Sequence, residues 1–400
     1  MSNLLKKVFK LLSPISLSIF SVMIYIFKYR KFKAILSVKK GLKDHRPGVT
    51  TGDTRYITIF KRLVDSYNKA KAEQENIDQP YRVGHMWQGI LDDRFVDLVT
   101  SLRNKDTVKL QALLENFHRE GFTLYSGGGS EDYYAMKKNP LYKYQFVNTW
   151  YKYYNIYKEV AGGHPLLTYP LLGNSVGLYH DGQIIPIEAV RYHYYATEIL
   201  SLLRGVNNPV ICEIGGGLGG QTYTILSNSD RAITYILLDI PEMLVISSYF
   251  LMAALPEKKF LLYGGGPLDS GKLDQYDIIL MPNFMLPQLG DETVDLFFNA
   301  CSFSEMDSVT VEEYIRQIER ICRRYFMHIN HNAKFVWYDE GKEIVNMPGS
   351  QIRPDPWRFK KIYQHPRVFA RLGDKIFYYY HKAGHFAFLY ERIRPASCQT

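Results

Sequence analysis

The chain has 400 residues, 46% hydrophobic and 22% charged, with a formal charge of +9. That length allows two or three units with a core of ordinary size. The positive charge is dense in residues 1–45, which marks an arm for a membrane surface or phosphate-rich partner. No zinc finger, RNP-type motif or basic helix-turn-helix supports nucleic acid as a partner. Cys212, Cys301, Cys322 and Cys398 form no C-x-x-C pair, so a reducing compartment and no metal site are expected.

Leu11 to Phe27 is largely apolar, with Lys6, Lys7 and Lys10 before it and Lys28, Arg30, Lys31 and Lys33 after. It ends in Ile24-Tyr25-Ile26-Phe27 without the small residues of a cleavage site, unlike a signal peptide. As a helix it reaches about 25 Å, short of a ~30 Å hydrocarbon core. Ser13, Ser16, Ser18, Ser21 and Pro14 weaken it further as a span. An interfacial helix is expected first, a span second, an ordinary soluble helix third. The implied location is cytoplasmic, at the inner face of the cell membrane.

Asp53 to Arg119 reads as helical, with Phe95, Leu98, Val99 and Leu102, then Leu110, Leu113 and Leu114, at three- and four-residue intervals. Gly127-Gly128-Gly129-Ser130 reads as a loop and lacks the Lys-Ser/Thr of a phosphate-binding P-loop. Tyr142 to Tyr157 is crowded with aromatics. Such side chains can stack on sugar rings or bases, but a helix packing them against its neighbours is the first reading.

From Pro186 the rhythm changes to alternating elements. A helix at Ile187–Leu203 leads to strands at Pro209–Ile214, Tyr235–Asp239, Phe260–Tyr263, Asp277–Met281, Val294–Asn299 and Tyr325–Ile329. Helices ending at Leu226 and spanning Pro241–Ala254 and Val309–Cys322 fall between them. This alternation predicts an α/β fold with a Rossmann-like, mostly parallel doubly wound sheet. Lys375–Tyr380 and His385–Tyr390 are too close for a helical crossover and predict an antiparallel C-terminal hairpin. The expected domains are an arm at 1–45, a helical, aromatic-rich N-terminal lobe at 46–165, and the sheet domain at 166–400.

The strongest motif is Val210-Ile211-Cys212-Glu213-Ile214-Gly215-Gly216-Gly217-Leu218-Gly219-Gly220. A strand runs into glycines that let the backbone turn tightly and approach a ligand. Gly215, Gly217 and Gly220 fit the G-x-G-x-x-G of a dinucleotide site. Glu213, Gly215, Gly217 and Gly219 fit acidic-x-G-x-G-x-G, whose carboxylate faces a cationic amino-acid group. Asp239, ending the next strand, stands where a ribose-binding carboxylate belongs. Its plain structural alternative is a cap for the helix at Pro241.

These residues, with Leu238-Asp239-Ile240-Pro241-Glu242 and Asp295 through Met306, resemble the sugar O-methyltransferases of bacterial glycan clusters. The likeness covers residues 165–330 and includes Gly173-Asn174 and the Arg191–Tyr195 helix; Asn-x-x-Ser-Phe-x-Glu-Met is its more specific stretch. It implies a class I methyltransferase domain using S-adenosyl-L-methionine as donor. The implied donor site is Glu213, Gly215, Gly217, Gly219, Asp239 and Ile240. The implied acceptor is a hydroxyl of a sugar or glycan.

On the acceptor side, Asn299, Ser302 and Phe303 are expected to bind substrate. Proton removal from a hydroxyl needs a positioned base, and Glu305 and His331 are the candidates. Their plain readings are a cap for the helix near Ser308 and a surface loop residue. His381 and His385 flank an expected hairpin turn, which denies them the shared helix face of a zinc pair. An NAD-linked oxidoreductase, a non-catalytic scaffold in a glycan-assembly complex and a methyltransferase for another small molecule are the competing readings.

Overall fold

The computed structural model describes residues 38–46, 54–123, 130–138, 142–160, 169–339, 342–366 and 385–394. The apolar run 11–27, the glycines 127–129, the strand expected at 375–380 and His381 lie outside them. Among the described residues no helix is long and apolar enough to cross a membrane.

In chain order the helices are α1 (Thr54–Gln74), α2 (His85–Arg94), α3 (Val96–Arg103), α4 (Thr107–Leu114), α5 (Ser130–Lys138), α6 (Tyr142–Val160), α7 (Ile187–Leu202), α8 (Gly220–Ser227), α9 (Pro241–Ala254) and α10 (Ser308–Ile321). The strands are β1 (Leu178–His180), β2 (Gln183–Ile185), β3 (Val210–Ile214), β4 (Thr234–Asp239), β5 (Phe260–Leu262), β6 (Ile278–Pro282), β7 (Val294–Ala300), β8 (Cys322–His331), β9 (Val336–Asp339), β10 (Lys342–Val345), β11 (Phe359–Pro366) and β12 (His385–Arg392). Two compact units divide the chain: 1–47 with 116–191, and 48–115 with 192–400. The stretch 46–165, expected as one lobe, is therefore shared between them.

In the first unit, α6 turns its aromatic side inward. Phe146, Trp150 and Tyr157 are buried, and the Trp150 indole donates to Ile185 O at 3.0 Å. β1 and β2 form a hairpin whose Asp181-Gly182 turn takes positive φ at both residues, the twist a two-residue hairpin requires. Arg119 donates to Asn174 O at 2.9 Å and Leu42 O at 3.0 Å, tying three chain segments together.

The second unit is built on an eight-stranded sheet in the order β11-β12-β8-β7-β3-β4-β6-β5. The six strands from β8 to β5 are parallel, and β12 runs against both β8 and β11. β3 and β6 are buried at every residue, the continuous apolar pattern of strands covered on both faces. This is a Rossmann-like, mostly parallel doubly wound sheet with one reversed strand next to its edge. Among the described residues the antiparallel partner of β12 on that edge is β11, which sequence periodicity missed because Phe359-Lys360-Lys361-Ile362 breaks alternation at a bulge.

The helical reading of 53–119 holds as four separate helices, α1 to α4. Asp106 caps α4 through Lys109 N at 3.0 Å, ending the turn that separates it from α3. α1 buries Ile59, Phe60, Leu63, Val64, Tyr67 and Ala70, a helical-period stripe. That stripe covers α9: Phe60 stacks on Tyr249 at 5.9 Å, and Lys71 Nζ lies 2.9 Å from the Glu242 carboxylate. α9 is buried from Pro241 to Met252 because the sheet and α1 take its two sides.

Candidate functional site

Parallel register places the carboxyl ends of β3, β4 and β7 side by side, with Ile214 opposite both Leu238 and Asn299. Gly215, Gly217 and Gly219 all adopt positive φ, a conformation that strains any residue with a Cβ. At Gly215 a Cβ would also stand 2.2 Å from Ser302 Oγ. The turn so formed aims Gly217 N at Asp239 Oδ2, 2.9 Å away, while Ile240 N donates to Oδ1 at 2.8 Å. The turn and the carboxylate are thus one hydrogen-bonded unit. Asp239 does not cap α9; the N-cap position belongs to Ile240.

Glu213 lies beneath this turn rather than in the open. It is 3% exposed and accepts from the Tyr235 hydroxyl at 2.8 Å. Burial pushes its carboxyl up to about 7, opposed by the Tyr235 and Thr222 hydrogen bonds and reinforced by the Asp239 charge. Burial likewise lifts Asp239 to about 7, against the pull of its two backbone donors.

Glu305 completes the acidic group from the turn after β7. Burial raises it to about 8, with Cys301 and Asp239 adding, while the Trp87 indole, donating at 3.2 Å, pulls the other way. Its reading as a helix cap fails: Asp307 caps α10, accepting from Thr310 N at 2.9 Å. Among the described residues no Lys or Arg forms an ion pair with Glu213, Asp239 or Glu305. Among the described residues these three raised carboxyls have no paired cation.

Two expected substrate contacts are corrected by burial. Asn299 is 0% exposed, with its amide nitrogen donating to Ile214 O at 2.8 Å and its oxygen accepting from Asn330 Nδ2 at 2.8 Å. It staples β3, β7 and β8 together and has no free edge for a ligand. Phe303 is 0% exposed and packs against Tyr314 and Phe326 in the core. Ser302 Oγ donates to Ile214 O at 3.2 Å and supports the glycine turn from below.

His331 ends β8, across from His385 on β12, with ring centroids 5.6 Å apart. Burial, reinforced by His385, lowers it to about 4, so it is neutral at pH 7. Its Nδ1 is buried without a hydrogen-bond partner. No hydrogen bond joins it to Glu305 among the described residues.

Sequence reasoning missed Trp87, which no motif marks and which precedes Glu305 by most of the domain. The segment before it crosses the carboxyl ends of the strands. Tyr81 O accepts from Asn283 Nδ2 at 2.9 Å, just past β6, and Pro80 O accepts from Thr310 Oγ1 at 3.3 Å. This roof brings the indole to Glu305.

No family model matches the sequence, and no curated protein matches it. Solved structures do. An S-adenosylmethionine-dependent methyltransferase from Mesorhizobium loti is 13% identical, covering 50% of this chain and 98% of its own, at a TM-score of 0.31. Geranyl diphosphate methyltransferase, solved with SAM, is 10% identical over 52% and 88%, at 0.34. The cyclase SpnF is 12% identical over 61% and 94%, at 0.36. The fold assignment accordingly stands on strand order and register.

Proposed function

We propose that the protein is an S-adenosyl-L-methionine-dependent O-methyltransferase acting on a hydroxyl of a sugar or glycan. The observation that carries the donor reading is the uncompensated acidic group around the glycine turn. A cation bound there relieves carboxyls that burial holds partly protonated. The sulfonium and ammonium of S-adenosylmethionine supply that charge. An NAD pyrophosphate is favoured only by the start of α8, which carries about half a positive charge. Up to three carboxylates oppose it, so the oxidoreductase reading loses on charge.

The donor, when bound, offers an electrophilic methyl carbon on cationic sulfur. The rest falls to this chain's residues. Asp239 keeps lone pairs free beside its two backbone donors and can accept from ribose hydroxyls. Glu305, ionised once a cation lowers its pKa, takes the proton from the acceptor hydroxyl as oxygen attacks the methyl carbon. The S–C bond breaks with its electron pair on sulfur. His331, neutral but weakly basic, suits acceptance of a hydrogen bond from another acceptor hydroxyl better than proton removal. The sugar acceptor rests on the sequence resemblance. A scaffold role loses support from the same site, since buried, raised carboxyls are costly to keep without a ligand.

The test is incubation with methyl-labelled S-adenosylmethionine and glycan or lipid-linked sugar fractions. Label in an alkali-stable methyl ether on a sugar oxygen is expected. Label only on a non-sugar acceptor overturns the substrate class, and no transfer despite saturable donor binding favours the scaffold.

A further inference from the structure

Trp357 is 88% exposed, the most open large apolar side chain among the described residues. It stands in the turn entering β11, at the end of the sheet away from the cleft. Ile393 N donates to Arg358 O there, and Glu391 pairs with Tyr325 near the start of β8. Ile393, 46% exposed, stands beside Arg358 on the same rim, while Ile362, 43% exposed, lies further along β11 at its bulge. Arg353, Arg358, Lys360, Lys361 and Arg394 are exposed around them. The acids nearby are engaged: Asp355 accepts from Trp357 N at 2.9 Å and faces Arg358 at 4.0 Å, Glu319 accepts from Asp355 N at 2.7 Å, Glu292 pairs with Arg392 at 2.9 Å, and Glu391 accepts from the Tyr325 hydroxyl at 3.4 Å.

Among the described residues β11 is an edge strand, a place where a strand from another chain can add. Adjacent lysines and a bulge between Lys361 and Tyr363 oppose that pairing. An open indole with an aliphatic neighbour, ringed by cations, suits a different partner. Tryptophan prefers the headgroup level of a bilayer, and clustered Lys and Arg are drawn to anionic lipid. Nucleic acid would satisfy the cations but leave Ile393 in water.

We propose that this rim docks the protein on an anionic bilayer, with Trp357 and Ile393 entering the headgroup region and the exposed cations meeting lipid phosphates. The docking is separate from any contribution of residues 11–27 and independent of the reaction assigned to the cleft.

The test uses the full chain with vesicles of phosphatidylcholine alone or mixed with phosphatidylglycerol, some carrying a spin-labelled lipid that quenches tryptophan. Quenching is expected only with the anionic vesicles and is expected to fall when Trp357→Phe is compared with the parent. Lys360→Gln with Lys361→Gln is expected to weaken vesicle binding about thirtyfold. All three side chains are exposed, so unchanged circular dichroism is the folding control. Equal quenching in the parent and Trp357→Phe, with vesicle binding intact, would assign membrane contact to another segment and overturn the proposal. A loss in the lysine variant confined to single-stranded RNA, with no lipid effect, would overturn it in favour of nucleic acid.

Discussion

The donor and acceptor sides of the proposed site are built differently. The donor side is local: one strand, one turn and the acid ending the next strand, fixed by parallel register and closed by the Gly217–Asp239 hydrogen bond. The acceptor side is assembled from afar, with Glu305 from the turn after β7, His331 from the end of β8 and Trp87 from α2. A site written in contiguous residues keeps its geometry through backbone constraint, whereas one gathered from three segments depends on packing and is free to vary in what it recognises.

That contrast breaks most clearly at Glu305. Glu305→Gln removes the proposed proton acceptor while keeping shape and the Trp87 hydrogen bond. Turnover is expected to fall by about a hundredfold to ten-thousandfold, with donor affinity little changed, as single-turnover kinetics would reveal. Unaltered turnover would transfer the role to His331. Asp239→Asn acts on the opposite side. Loss of a charged hydrogen-bond acceptor is expected to weaken donor binding about tenfold to a hundredfold, read by calorimetry, with the fold retained.

Expectations of this kind follow from how much of each side was legible. The glycine turn and Asp239 were readable because strand, turn and acid fall at fixed spacing. The six parallel strands were readable because buried strands leave continuous apolar runs. Asn299 and Phe303 misled, since a motif records which residues are required but not whether they face a ligand or the core. Trp87 was invisible for a tertiary reason: its partner is 218 residues away in sequence. β11 was missed because its exposed edge carries lysines where alternation would place apolar residues.

A pH series sharpens the charge argument. Burial pushes Glu213 and Asp239 up to about 7 and Glu305 up to about 8, above their unfolded values. These groups therefore cost the folded state more as pH rises from the carboxylate range, and the cost is complete above about 8. A cationic ligand binds the ionised forms. Affinity for S-adenosylmethionine is expected to rise from pH 6 to pH 8, and its shift of the melting temperature should be larger at pH 8. A flat or falling profile would remove the carboxylates from the donor site.

The smallest expected effect belongs to Trp87→Phe. The indole N–H stabilises the ionised Glu305, so its loss should move the acid limb of the kcat/KM profile to higher pH and lower the rate at neutral pH about two- to fivefold. A uniform rate loss with an unmoved limb would make Trp87 a packing residue only.

The most direct measurement is calorimetric titration of the purified chain with S-adenosylmethionine and, separately, with NAD. Saturable binding of the first, abolished or strongly weakened in Asp239→Asn, and no binding of the second are predicted. Saturable NAD binding, or S-adenosylmethionine binding indifferent to Asp239→Asn, would contradict the assignment of this cleft to a cationic methyl donor.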